Sequence, residues 1–141
     1  MIQQSVELCD VLKKTGIYVG TVNGISMLPM LRNKKDTVII RPVTDKLKKY
    51  DVVLYRKENM YVLHRIVKVM PGGYIICGDN CIFWENDVTD RQIIGRLVEF
   101  YRGERKISVN SMGYKMYCRI WVAFYPMRCL MKKIKKYYNR I

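Results

Sequence analysis

At 141 residues, half of them apolar, the chain is long enough to bury one core without staples and too apolar to be disordered. Its formal net charge of +14 is uneven, because residues 102–141 hold eleven Lys or Arg against the single acid Glu104. That block suits an anionic surface, either lipid headgroups or nucleic acid, against the plainer reading of a solvated basic face.

The chain opens with Leu8, Val11 and Leu12 spaced three and four apart among polar residues. This predicts a short amphipathic helix over 3–14, ended by Gly16. The first ten residues have neither a basic leader nor a long apolar run, so no secretory signal is expected. From Tyr18 to about Asn110 the pattern turns to β. Runs at 36–43, 51–56, 60–70, 74–77, 93–101 and 106–109 read as strands, and Lys57-Glu58-Asn59 and Pro71-Gly72-Gly73 read as hairpin turns. Six or so short strands with tight turns predict a small curled sheet or partly open barrel.

After Met112 the period returns to that of a helix, with Met116, Ile120, Phe124 and Met127 recurring at three or four. Pro126 should kink or end it, and the stretch beyond is basic. Two domains are read: a mainly β unit over 1–110 with its short helix, and a basic amphipathic helical extension over 111–141. The first half of the extension is expected to pack on the sheet. A helix lying on a membrane surface is the alternative, since eight apolar residues from Ile120 to Met127 are far short of the roughly twenty a bilayer span needs.

Five cysteines form no even disulfide framework and read as free thiols of a reducing, cytoplasmic setting. Cys77, Cys81 and the lone His64 make an incomplete zinc set, so neither metal nor cofactor is expected.

Three segments carry the chemistry. Gly24-Ile25-Ser26-Met27-Leu28-Pro29-Met30-Leu31 holds one serine among apolar neighbours, with a glycine before it and a proline three residues after. A serine hydroxyl needs a base within hydrogen-bond reach to act as a nucleophile. His64, the only histidine, stands in Tyr-Val-Leu-His-Arg-Ile-Val, where strand alternation sends it to the face opposite Leu63 and Arg65. Ile75-Ile76-Cys77-Gly78-Asp79-Asn80-Cys81 is a strand running into a turn, and Asp79 is a candidate carboxylate to orient the imidazole. Glu85, Asp87 and Asp90 are eligible for the same role.

Ser-Met-x-Pro, then Tyr-Asp-Val-Val-Leu-Tyr, then a strand with the base before Arg-Ile-Val, then Gly-Asp-Asn, then Ile-Ile-Gly-Arg-Leu, resembles signal peptidase I and its relatives. The ordered set runs from about Thr21 to Phe100. Bacterial-type members and the related self-cleaving repressors place lysine at the base position, whereas the endoplasmic-reticulum branch places histidine, as at His64. The resemblance implies Ser26 as nucleophile, His64 as general base and an Asp of the Gly-Asp-Asn region in support. It also implies a mostly β catalytic domain that takes an extended peptide or precursor as an added strand. Met27, Leu28, Pro29 and Met30 are expected to line or support the apolar surface beside the scissile bond.

The chain departs from the family pattern in three ways. No transmembrane anchor is visible. Gly24 stands where many bacterial members carry a serine that assists the oxyanion hole. The acidic residue after Gly-Asp-Asn does not align cleanly. A non-catalytic peptide-binding or membrane-surface module is therefore the rival reading. A self-cleaving repressor ranks low, because residues 1–20 are too short for a DNA-binding domain and the base is not lysine. Nucleic-acid binding through the basic tail is a minor option, and peripheral membrane contact through the C-terminal helix is retained.

Overall fold

A computed structural model describes residues 7–141. Helix α1 (Glu7–Thr15) is followed by β1 (Tyr18–Thr21), β2 (Thr37–Arg41), β3 (Val52–Lys57), β4 (Met60–Met70), β5 (Gly73–Cys77), β6 (Glu85–Val88), β7 (Ile93–Arg102) and β8 (Arg105–Ser108). Helices α2 (Met112–Ala123) and α3 (Tyr125–Tyr138) complete the chain. The protein is mainly β, as the strand pattern predicts. Of the helix expected over 3–14, residues 3–6 lie outside the described residues.

The strands form one antiparallel sheet in the order β1-β2-β7-β3-β4-β5-β6, and the sheet does not close. β7 is long enough to serve three partners. One of its edges pairs β2, while the other pairs β3 through residues 93–96 and β8 through residues 99–102. β6 was not expected as a strand. Its Glu-Asn-Asp-Val sequence has little β propensity, and its pairing with β5 (Ile76 opposite Glu85) is a tertiary effect.

Both faces of the sheet are covered at its centre, so β3 reads as a continuous apolar run. Val52, Leu54 and Leu63 face the main core, shared with Leu8 and Leu12 of α1, Met27, Leu31, and Tyr114 and Cys118 of α2. Val53, Tyr55, Val62, Ile66 and Ile76 form a second cluster on the other face. Gly16 ends α1 in the left-handed region (φ +71°), its N–H donating to the Leu12 carbonyl at 2.9 Å.

The basic C-terminal segment is two helices rather than one. The break falls at Phe124, and Pro126 sits in the first turn of α3, where its missing N–H costs nothing. Ser111 caps α2 by accepting from the Tyr114 N–H. The first half of the extension packs on the sheet, through Tyr114 and Cys118. Met116, Ile120, Phe124 and Met127 are each about half exposed or more, whereas Tyr114 and Cys118 are buried. The reason lies beneath α2, where the buried Arg65–Asp79 pair is hydrogen-bonded by Tyr114, Tyr117 and Cys118 of the inward face.

Candidate functional site

Ser26 lies in the turn-rich link between β1 and β2. Gly24 occupies φ +105°, a conformation that a side chain disfavours, and its N–H donates to Asn33 Oδ1 at 2.8 Å. This accounts for glycine at the position where the resemblance looks for serine. The link is anchored from below by Met27, Met30 and Leu31, all buried in the main core.

That anchoring corrects part of the expected peptide-contact surface. Met27 and Met30 are buried core residues that support the link from below, Met30 bordering with Pro29 a cleft of about 610 Å³, while Leu28 is half-buried and Pro29 exposed. Ile25, 59% exposed, is the apolar residue beside Ser26 that does face outward.

The Gly78-Asp79-Asn80 turn holds this link in place. The Asn80 N–H donates to the Ser26 carbonyl at 2.8 Å, and Asn80 Nδ2 donates to the Ile25 carbonyl at 3.1 Å. Gly78 explains how closely the segments approach. A Cβ on Gly78 would stand 2.7 Å from the Ser26 carbonyl oxygen, 2.7 Å from Cys81 Sγ and 2.9 Å from His64 Nε2. Ser26, Cys81 and His64 thus border one point that only a glycine leaves free. The Ser26 hydroxyl has no hydrogen-bond partner among the described residues and is not a buried orphan, so it is open at the surface.

His64 sits on β4 opposite Val53. Tyr55, two residues along β3, is its diagonal neighbour on the same face and brings its hydroxyl to 3.3 Å from His64 Nδ1. Burial pushes the imidazole down to about 4, against a smaller upward pull from Glu85 and a weaker one from Asp79. His64 is therefore neutral at pH 7. Burial raises the Tyr55 hydroxyl far above its ordinary value, and the Glu85 carboxylate adds to that. Glu85 also pairs with Lys57 at 3.1 Å.

Asp79 is not the imidazole's hydrogen-bond partner. Its Oδ1 and Oδ2 accept from Arg65 Nε and Nη2 at 2.8 and 2.9 Å, and Oδ2 also accepts from the Tyr117 hydroxyl at 2.8 Å. The bidentate pair is fully inside the protein, with both side chains at most 2% exposed. Arg65 Nη1 donates to the Tyr50 carbonyl, the Tyr114 hydroxyl and Cys118 Sγ. Burial disfavours the charge on Arg65, but the adjoining carboxylate outweighs it and keeps the guanidinium protonated. The expected carboxylate is thus present in the site but acts on its frame. Of the alternatives, Glu85 is the one beside Tyr55, Asp87 is exposed, and Asp90 accepts from Tyr74 at 2.6 Å.

Helices α2 and α3 complete the frame. Trp121 Nε1 donates to the Asp79 carbonyl at 2.8 Å, Tyr125 donates to the Ile82 carbonyl, and Lys132 donates to the Asn80 carbonyl and, at 2.9 Å, to Asn80 Oδ1. Two signals of this arrangement lie in the sequence. Arg65 is a charge in an otherwise apolar strand, and Tyr114, Tyr117, Cys118 and Trp121 recur at three and four, as one helix face does.

Two clefts of about 720 and 700 Å³ lie elsewhere, one lined by Val43, Leu47 and Tyr74 and the other by Val69, Trp84 and Pro126. Ser26 and His64 line neither. The site is a surface feature beside open strand ends, a form suited to an extended chain more than to an enclosed small molecule.

The chain matches no protein-family model and no curated protein.

Proposed function

We propose that the protein is a serine endopeptidase of the signal peptidase type, cutting an extended peptide or precursor with Ser26 as nucleophile and His64 as general base. The observation that carries this reading is the approach at Gly78, where the main-chain carbonyl oxygen of Ser26 and His64 Nε2 border one point, which brings the serine loop, though not the hydroxyl itself, beside the imidazole. Segments far apart in sequence meet there, and the imidazole is in the neutral form a base requires.

In the first step Ser26 Oγ attacks the peptide carbonyl carbon while His64 Nε2 takes the hydroxyl proton. The imidazolium then gives that proton to the departing amine nitrogen as the C–N bond breaks. Water attacks the ester with His64 again as base, which releases the acid and restores Ser26. The Ser26 and Met27 N–H groups donate to no other described residue and are free to receive the oxyanion. For Nε2 to act as base, Nδ1 must carry the proton and give it to an acceptor. The Tyr55 oxygen fills that place when its own proton is directed to Glu85. β1 and β6 are the outer strands of the sheet path, so an unpaired strand edge leads toward Ser26 and another away from Cys81. Either edge suits a substrate bound by main-chain hydrogen bonds.

A binding module without turnover shares this geometry. The low pKa of His64 favours it, since so weak a base takes a proton poorly. Cleavage of a diverse unstructured peptide library, read by mass spectrometry, separates the two. The peptidase reading expects cleavage that is lost in both Ser26→Ala and His64→Ala. Peptide binding by the wild type without cleavage selects the module, and cleavage that survives Ser26→Ala overturns the assignment of the nucleophile.

A further inference from the structure

From the outward face of the C-terminal helices we infer that α2 and α3 dock on the surface of an anionic lipid bilayer. The inference stands without the peptidase reading. In α2 the exposed apolar side chains are Met112, Met116 and Ile120, four residues apart, at 81, 59 and 52% exposure. Past the break at Phe124 the stripe resumes in α3 with Met127, Leu130 and Ile134 at three and four. Further large apolar side chains, including Met131 and Tyr138, widen it. The opposite side of α3 faces the protein, where Tyr125 and Lys132 bond the 80–82 segment and Arg128 lies 4.1 Å from the Trp121 ring centroid. The stripe is therefore not an unfinished core contact, because each helix already spends its other face on the domain.

Charge selects what covers the stripe. Residues 112–141 hold eight Lys or Arg and no acid. A second copy of this face would bring eight cations against eight, which disfavours self-association. A nucleic acid would satisfy the cations and leave the methionines, Leu130 and Ile134 in water. For stacking it would find only Tyr137 and Tyr138 at the end of α3, since Tyr117 and Trp121 stack on each other and Tyr125 lies tilted against Trp84. An anionic bilayer satisfies both halves, since headgroups meet the Lys and Arg while the apolar side chains enter the acyl boundary. No helix among the described residues is long and apolar enough to cross a membrane, so this is contact in the plane of the surface. α3 would then lie between the lipid and the Asn80 turn, which in turn holds the serine loop.

The test is flotation of the full chain with vesicles of phosphatidylcholine alone and of phosphatidylcholine mixed with phosphatidylglycerol. It compares the wild type with the triple variant Met127→Gln, Leu130→Gln, Ile134→Gln, which keeps the charge and good helix formers on an exposed face. The expected result is binding to the anionic vesicles only, weakened roughly tenfold or more in the triple variant with an unchanged circular dichroism spectrum. Absence of binding to anionic vesicles overturns the proposal. Binding that the triple variant retains in full also overturns it, because the attraction is then charge alone. Light scattering that shows a dimer dissociated by the triple variant assigns the stripe to a second copy instead. A single-stranded oligonucleotide bound more tightly than the vesicles, equally by both proteins, assigns the face to nucleic acid.

Discussion

Asn80 holds Ser26 from two sides. Its backbone N–H meets the Ser26 carbonyl, and its side-chain amide meets the carbonyl of the residue before. The Gly-Asp-Asn turn is thus a structural part of the serine loop, although fifty-four positions separate them. Lys132 of α3 in turn donates to the Asn80 side-chain oxygen at 2.9 Å, which links the site to the basic helix.

Gly78→Ala is expected to disable the site with a modest loss of stability. The added methyl must displace the Ser26 carbonyl, the imidazole and Cys81 Sγ, and a displacement of about 1 Å is enough to cost roughly a hundredfold in rate. Overpacking should cost about 1–3 kcal/mol. Thermal melting beside peptide cleavage checks this, with a near-native melt and lost turnover as the expected pair.

Asp79→Asn is expected to behave as a folding mutation first. It leaves Arg65 buried without its countercharge, which should cost about 3–5 kcal/mol in urea unfolding. Ser26→Ala, in contrast, removes a hydroxyl with no partner among the described residues and should change stability by no more than about 0.5 kcal/mol. Equal stability of the two variants would show that Asp79 is not part of the frame.

The pH profile should report the burial of His64. In the proposed mechanism its neutral form is the base, so kcat/KM should rise through about pH 4, below the ordinary histidine value of 6.5. Glu85→Gln removes a charge that favours the imidazolium and should move that limb to still lower pH. Stability has the matching sign. Between pH 6.5 and 4 the unfolded chain binds a proton that the native state refuses, so this group's contribution falls as pH drops through that window and levels off below it. His64→Gln should flatten that part of the curve, as denaturant unfolding at several pH values would reveal.

Tyr55→Phe is expected to slow cleavage by roughly ten- to a hundredfold while costing about 1–3 kcal/mol for the unpaired nitrogen it leaves. A positioning role predicts a fall in kcat with KM little changed. A fall in stability with no change in kcat would confine Tyr55 to packing.

Strand positions were legible because apolar alternation and Gly or Pro turns are local signals. β4 spans residues 60–70 as expected, and β3, β5, β7 and β8 lie within one or two residues of their expected bounds. β6 was not legible, since Glu85 pairs only because β5 offers it an edge. Ser26 and His64 could be chosen from residue chemistry and motif order, but the orienter of the imidazole could not. Tyr55 reaches His64 through the cross-strand register of β3 and β4, which no local pattern prints.

The same division separates the two ends of the chain. Sequence by itself determined a mainly β domain, a serine and a histidine in motif order, and a C-terminal segment that is both basic and amphipathic. Only the tertiary structure decided which face of that segment turns inward. Periodicity places Met116 and Ile120 on one side of the helix and Tyr114 and Cys118 on another, but it cannot say which side meets the sheet. That choice belongs to Arg65 and Asp79, because a charge pair taken out of water must be surrounded by groups that hydrogen-bond to it. The tyrosine face therefore turns in, and the methionine face is left for another surface.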